Sequence, residues 1–257
     1  MEYVEYKGNK YKIRDEKLDL SNLNILKINE IKGLENIKDL KELNLSNNRI
    51  TQIEGIESLT NLKKLNLRLN QINEIKGLET LINLNYLYLY NNRITEIKGL
   101  SSLTNLIELN LYDNQIQGIQ GLETLRNLKQ LYLGSNRIKI IEGLENLTSL
   151  EFLNVEKNFI TELKGLTTLK NLKLLAIKRN SIKEIKGIEN LTQLRRLELA
   201  YNEIKEITDL TELENLEFIT LQGNPVYEKE IEFQEKKLKV KLLNAKEMVF
   251  YCQKKKI

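Results

Sequence analysis

Apolar residues along this chain follow a long beat. In "LKELNLSNNRITQIEGIESLTNL", residues 40 to 62, Leu43 and Leu45 are two apart and point the same way from an extended strand. After them Ile50, Ile53, Ile56, Leu59 and Leu62 recur at intervals of three, through a stretch rich in polar residues. Neither a single amphipathic helix nor a single half-buried strand reads this way. The pattern predicts one short strand per unit, followed by a coil that folds its aliphatic side chains back over the strand leucines.

The unit repeats. Asparagines stand at 48, 70, 92, 114, 136, 158, 180, 202 and 224, and glycines at 33, 55, 77, 99, 121, 143, 165 and 187, all 22 residues apart. Asp209 occupies the next glycine position. The repeat runs LxxLxLxxNxIxxIxGLxxL, in nine copies from Leu40 to Asn224. A degenerate copy begins at Leu18, is about three residues longer, and has Leu23 where the asparagine belongs. One turn cannot bury its own aliphatic face, but stacked turns can. Seven or eight such side chains per turn, at roughly 1.5–3 kcal/mol each before entropy costs, supply the driving force. The asparagine is expected to serve the bend after the strand. Backbone groups there leave the ladder, and an amide both donates and accepts. The glycine is expected where a Cβ would hinder the backbone.

The pattern resembles the leucine-rich repeat family in its 22-residue form, as in the protein phosphatase 1 regulatory subunit and the bacterial internalins. "IEGIESLTNLKKLNLRLNQI" and "IKGLETLINLNYLYLYNNRI" match the family unit throughout, and the likeness covers residues 18 to 224, about four-fifths of the chain. It implies an α/β solenoid: a curved leucine-rich-repeat horseshoe of about ten turns. A parallel sheet would line the concave side, with short 3₁₀ or irregular segments on the convex side. Ten strands at about 4.8 Å give a concave face some 45 Å long. It also implies a binding function, since the family binds many partners.

Open solenoid ends expose core and strand edge. Residues 1–17, "EYVEY", "KGNK" and "YKIRDE", are expected to form a hairpin cap around a Gly-Asn turn, residues 18–224 the solenoid, and residues 225–257 a helical C-terminal cap. In that last part "VYEKEIEFQEKKLK" is expected as a helix with Tyr227, Ile231 and Leu238 on one side, and "LKVKLL" as a strand. "NAKEMVFYCQKKK" is expected as a helix capped by Asn244, with Ala245, Met248, Val249 and Cys252 on one stripe. A helix docking onto another protein is the rival reading. The phosphatase-subunit relatives often end in a Leu-Pro pair. Pro225 is the only proline here, so that motif is missing.

Composition narrows the chemistry. The chain of 257 residues has no histidine, which removes the usual neutral-pH base and the commonest metal ligand. The single cysteine, Cys252, has no histidine to activate it and permits no intrachain disulfide. No phosphate-binding glycine loop occurs. "NLT" at 146–148 and 190–192 arises from the repeat and is discounted as a glycosylation site. No cofactor, no metal and no enzyme activity are expected. No long apolar run and no signal-peptide pattern at the start point to a cytoplasmic protein without a membrane span, monomeric on its own. A net charge of +4, from 40 basic and 36 acidic residues interspersed along the chain, weighs against nucleic-acid binding.

The residues flanking the strand leucines carry no core duty and face the concave side. Tyr86, Tyr88, Tyr90, Tyr112, Tyr132 and Phe152 fall on four neighbouring strands, and Leu174 adds a fifth. Glu108 and Asp113 border them, while Lys157, Lys178, Arg179 and Arg196 give a basic tendency further on, with Glu156 and Glu198 among them. One reading is a protein-binding surface, since tyrosine offers large area, few rotatable bonds and a polar tip. The other is sheet packing, since aromatics pair well across strands. The candidate partner site is therefore Tyr86, Tyr88, Tyr90, Glu108, Tyr112, Asp113, Tyr132, Phe152, Leu174, Lys178, Arg179 and Arg196. Four functions are in view. They are a scaffold or binding module for a protein, a regulatory subunit of a Ser/Thr phosphatase or small GTPase, single-stranded nucleic-acid binding on stacked tyrosines, and a purely structural solenoid with no partner.

Overall fold

The structure, a computed structural model, describes residues 2–208, 210–233 and 236–255. Its centre is a ten-stranded parallel sheet in strict chain order. The strands are β3 (Lys17–Asp19), β4 (Glu42–Asn44), β5 (Lys64–Asn66), β6 (Tyr86–Tyr88), β7 (Glu108–Asn110), β8 (Gln130–Tyr132), β9 (Phe152–Asn154), β10 (Leu174–Ala176), β11 (Arg196–Glu198) and β12 (Phe218–Thr220). Leu43 pairs with Leu65 and Leu65 with Leu87, one repeat apart. Leu18 pairs with Leu43, which absorbs the three extra residues of the first copy in its loop rather than in its register.

Each return path is a chain of tight turns. The Leu59 and Leu62 N–H groups donate to the Ile56 and Leu59 carbonyls at 3.0 Å each, and the same pair of bonds recurs at Leu81 and Leu84 and at Leu103 and Leu106. Among the described residues of the solenoid, continuous 3₁₀ helix is confined to the first turn, at Ile28–Glu30 and Leu34–Asn36. These turns bring Ile50, Ile53, Ile56, Leu59 and Leu62 onto Leu65 and Leu67, all at most 2% exposed.

The repeat asparagines form a ladder through this core. Asn114 Nδ2 donates to the carbonyls of Leu111 in its own turn and Leu89 in the preceding one, both at 3.1 Å. Its Oδ1 accepts from the Ile94 N–H at 3.0 Å. The first turn has no such amide, and Asn48 makes up for it. Its Oδ1 accepts from both Leu23 and Ile25 N–H at 3.0 Å, which is why leucine is tolerated at 23.

A second, exposed ladder was not read from the sequence. Asn61, Asn83, Asn105 and Asn127 donate to the carbonyls of Lys38, Thr60, Ile82 and Thr104 across turns on the convex side.

The glycine position is constrained twice. Gly121 has φ +83, and a Cβ there would sit 2.2 Å from the Ile97 carbonyl oxygen of the preceding turn. Its N–H donates to Glu123 Oε1 at 2.9 Å, so a carboxylate two residues after the glycine is a local cap rather than mere solvated charge. The residue before each ladder asparagine is also left-handed, at φ +53 for Asn47, +55 for Leu69, +54 for Asp113 and +58 for Tyr201. Asparagine and aspartate accept that conformation more readily than the others do.

At the N-terminus β1 (Tyr3–Tyr6) and β2 (Asn9–Lys12) form an antiparallel hairpin. Its turn is Lys7-Gly8, both at positive φ, and not Gly8-Asn9: Asn9 already pairs with Tyr6. A two-residue turn of this kind matches strand twist. Val4 and Tyr6 are buried against the first turn, and Glu5 exchanges backbone hydrogen bonds with Lys32.

The C-terminal end departs from the helical expectation. Instead of a helix across 226–239, a 3₁₀ turn at Pro225–Glu228 leads into an antiparallel hairpin, β13 (Glu230–Phe233) and β14 (Lys236–Lys239). The segment alternates charged and apolar residues with a period of two, and its register sets an acidic stretch opposite a lysine-rich one, with Glu230 against Lys239. The expected strand over 238–243 is the end of β14 followed by a 3₁₀ turn at Val240–Leu242. The side chains of Ile231 and Leu238, and Asp209, lie outside the described residues. The last helix, α1 (Ala245–Lys255), has Asn244 as its cap: Asn244 Oδ1 accepts from the Glu247 N–H at 3.0 Å and Glu247 Oε2 from the Asn244 N–H at 2.8 Å. Ala245, Met248, Val249 and Cys252 are buried on one side of it.

The core ladder should dominate stability. Asn114→Ala strands the Ile94 N–H in the core and leaves the Leu89 and Leu111 carbonyls with one amide each, from Asn92 and Asn136, and is expected to cost about 2–3 kcal/mol. Asn105→Ala, on the exposed ladder, should cost under about 1 kcal/mol. Urea unfolding separates the two, and equal losses would refute the distinction. Leu69→Asn relieves an unfavourable left-handed leucine and should gain up to about 1 kcal/mol in the same assay.

Candidate functional site

The strands display two columns of side chains, and a third follows where the chain leaves the sheet. Because every strand is only three residues long and in register, a residue's neighbours are its counterparts one repeat away. Tyr86 thus lies between Lys64 and Glu108, and Tyr88 between Asn66 and Asn110.

Of the aromatic group, Tyr86 is the most open, at 36% exposed. Tyr88 is half-buried and its hydroxyl donates to Glu108 Oε2 at 3.4 Å. Burial first, and then the Glu108 carboxylate, push its phenol up from 10.0 to about 12. Burial likewise raises the Glu108 carboxyl, against the lowering effect of its bond from Tyr88. Tyr132 stacks on Phe152 with ring centres 4.7 Å apart, and its hydroxyl donates to Gln130 Oε1 at 3.0 Å. Tyr90 accepts from Arg68 Nη1 at 2.8 Å. Tyr112 lies across Gly134, where a Cβ would come within 2.7 Å of its ring, and accepts from Lys157 Nζ at 3.3 Å. Leu174 extends the row beyond Phe152, half-buried. Asp113 sits at the exposed corner and accepts from Asn91 Nδ2 at 3.0 Å.

The basic tendency toward the C-terminal end is largely neutralised. Lys178 bridges Glu156 at 3.0 Å and Glu198 at 3.6 Å, and Arg196 Nε meets Glu198 Oε1 at 2.7 Å. The bond to Glu156 is the main reason the Lys178 ammonium is raised above its ordinary value. Arg179 and Arg196 lie over the rings of Tyr201 and Phe218, at 5.3 and 4.4 Å. These residues form an internal network rather than an open cationic strip.

The sequence reading left several participants out. Lys64 lies 5.5 Å from the centre of the Tyr88 ring, and Arg68 anchors Tyr90. Tyr201 and Phe218, 52% and 43% exposed, are more open than the central tyrosines, so exposed aromatic surface is not confined to the middle of the arc. Gly134 was an available signal: a bare position one turn after a tyrosine. The same arrangement recurs at Gly223, on which Tyr201 lies. Among the described residues no group of three acidic or cysteine side chains is placed to hold a metal ion. No helix among them is long and apolar enough to cross a membrane.

A family model described as "Leucine Rich repeats (2 copies)" matches residues 38–83, 60–102, 82–124, 104–147 and 126–168. Internalin C2 from Listeria monocytogenes is similar at 31% identity, over 75% of this chain and 85% of its own, with a TM-score of 0.70. The internalin inlF of the same organism is similar at 27% identity, over 81% of this chain and 67% of its own, with a TM-score of 0.66. The functional domain of InlJ, also from Listeria monocytogenes and described as including a cysteine ladder, shares the fold at 22% identity and a TM-score of 0.56, over 81% of this chain and 53% of its own. No curated protein sequence matches the chain.

The Tyr88 phenol is held protonated by the fold. Its folded value lies above its unfolded one, so the stability it contributes is full below pH 10 and lost as pH rises through about 12. A ¹³C NMR titration of the tyrosine rings should find Tyr88 among the last to ionise, and Glu108→Gln should bring it part of the way back toward 10. A Tyr88 resonance that titrates with the exposed tyrosines in both proteins would show that the contact does not persist in solution.

Proposed function

The chain belongs to the leucine-rich repeat family, and on that footing we propose that it is a non-enzymatic module that binds a protein partner on its concave face, centred on the tyrosines. The observation that carries this reading is the group of Tyr86, Tyr88, Tyr90, Tyr112, Tyr132 and Phe152 on neighbouring turns. Tyr132 and Phe152 stack on each other, Tyr88, Tyr90 and Tyr112 are held by Glu108, Arg68 and Lys157, and none of the six is fully buried. Side chains already held by neighbours lose little freedom on binding, and aromatic area of this kind is typical of the residues that dominate interfaces. In this reading residues 1–17 and 225–257 close the two ends of the 18–224 solenoid and leave the concave face as the working surface. A regulatory subunit of a phosphatase or small GTPase, or a scaffold, would use the same face, but no particular residue favours either.

Tyr86→Ser with Tyr90→Ser tests the proposal while sparing the Tyr132–Phe152 stack. Proteins retained by the immobilised wild type from a lysate should be lost by the double variant and kept by an Asn105→Ala control on the convex side. For an isolated partner, each tyrosine is expected to be worth about 2 kcal/mol, roughly thirtyfold in Kd per site. Retention of the same partners by the double variant, with circular dichroism unchanged, would defeat the proposal.

A further inference from the structure

A group of cations on the concave side gathers at its N-terminal end. A cleft of about 770 Å³ opens between β2 and the first three strands of the sheet, lined by the cations Lys10, Lys12, Arg14, Lys17 and Lys64. Three acids share the lining, Asp15, Asp19 and Glu42, but two of them are occupied. Glu42 pairs with Lys17 at 2.8 Å, and Asp19 Oδ1 accepts from the Ser21 N–H at 2.9 Å and from Asn44 Nδ2 at 3.1 Å. Arg68 stands on the next column, bonded to Tyr90. Among the described residues no carboxylate forms an ion pair with Lys12, Arg14, Lys64 or Arg68. The cations of the other end, Lys178 and Arg196, are matched by Glu156 and Glu198. The cleft runs directly into the tyrosines: Lys64 is the sheet neighbour of Tyr86 and lies against the Tyr88 ring.

We propose that this cleft receives an acidic segment of the protein partner, with its carboxylates on Lys12, Arg14, Lys64 and Arg68 and an apolar side chain of the same segment on Tyr86. This rests on the concave-face reading and adds the chemistry of what binds there. From β3 to β6 are three interstrand steps of about 4.8 Å, a span that four or five extended residues cover. Guanidinium and ammonium groups standing in and beside this cleft without a carboxylate partner are electrostatically complementary to such a segment and steer it in. A phosphate backbone fits less well. Its evenly spaced charges would meet Asp15, Asp19, Glu42, Glu108 and Asp113, whereas a peptide places its carboxylates one at a time.

Selection of a displayed library of random 15-residue peptides on the immobilised protein tests this. The recovered peptides should be enriched in Asp and Glu together with an apolar residue. Their Kd should weaken at least tenfold on going from 50 to 300 mM salt. It should weaken at least as much in a variant carrying Lys12→Glu, Arg14→Glu, Lys64→Glu and Arg68→Glu. A charge-matched convex variant with Lys38→Glu, Arg126→Glu, Lys139→Glu and Lys170→Glu should bind as wild type does, and thermal unfolding checks that both variants fold. Peptides without an acidic excess, acidic peptides indifferent to the cleft variant, or no binders at all would overturn the inference. So would oligo(dT) of 15 nucleotides displacing the peptides at lower concentration than they displace one another. Peptides lost in Tyr86→Ser/Tyr90→Ser but indifferent to the cleft variant would sink the inference and leave the concave-face reading standing. Acidic peptides lost only in the cleft variant would sink the concave-face reading, and with it the contact on Tyr86, and leave only the acidic site of the cleft.

Discussion

An amide buried among leucines is the constraint on which this architecture turns. Each ladder asparagine offers two donors and an acceptor to three backbone groups that have left the sheet, one in its own turn and two in the turn before. Those groups have no water and no strand partner, so leaving them unpaired would cost on the order of the stability gained from burying one aliphatic side chain. Satisfying them from a fixed place in every unit holds successive turns at one pitch. The pitch in turn keeps every strand in register, and the register stacks side chains into columns. The concave surface is therefore a regular display, and its chemistry depends on what occupies each column.

What occupies the columns divides the face into three parts. At the N-terminal end cations outnumber acids, in the middle aromatic residues gather with Tyr132 stacked on Phe152, and at the C-terminal end Lys178 and Arg196 are matched by glutamate. The middle shows how packing and display coexist. Tyr112 lies across Gly134, which leaves it room, and Tyr132 is braced by Phe152, yet both remain only half-buried. Sheet packing and partner binding are thus not rival explanations of these tyrosines, since packing is what holds them in place for contact.

Periodic features were the legible ones. Asn114 and Gly121 declare themselves because their counterparts lie 22 residues away on either side, and the physics of one unit is the physics of all. The same signal was present for the exposed asparagines at 61, 83, 105 and 127, whose spacing is as regular but whose setting among polar residues hides it. Features that occur once were harder. The turn at Lys7-Gly8 and the hairpin at 230–239 depend on local competition between helix and strand, which residue types alone decide weakly. The pairing of Arg196 with Glu198 was hidden for another reason. Charges two apart on a strand share a face, but whether they meet or reach outward depends on side-chain conformations that spacing does not specify.

The ladder also has a direction. The carbonyl of Leu89 accepts first from Asn92 of its own turn and again from Asn114, but the N–H of Ile94 finds its acceptor in Asn114, on chain that lies later in the sequence. No turn is finished by its own residues. During synthesis a newly emerged turn would hold open hydrogen-bonding groups until the next repeat had also left the ribosome. Assembly would then trail translation by one repeat throughout, and the last turn would wait on the C-terminal residues beyond Asn224 rather than on another copy of itself.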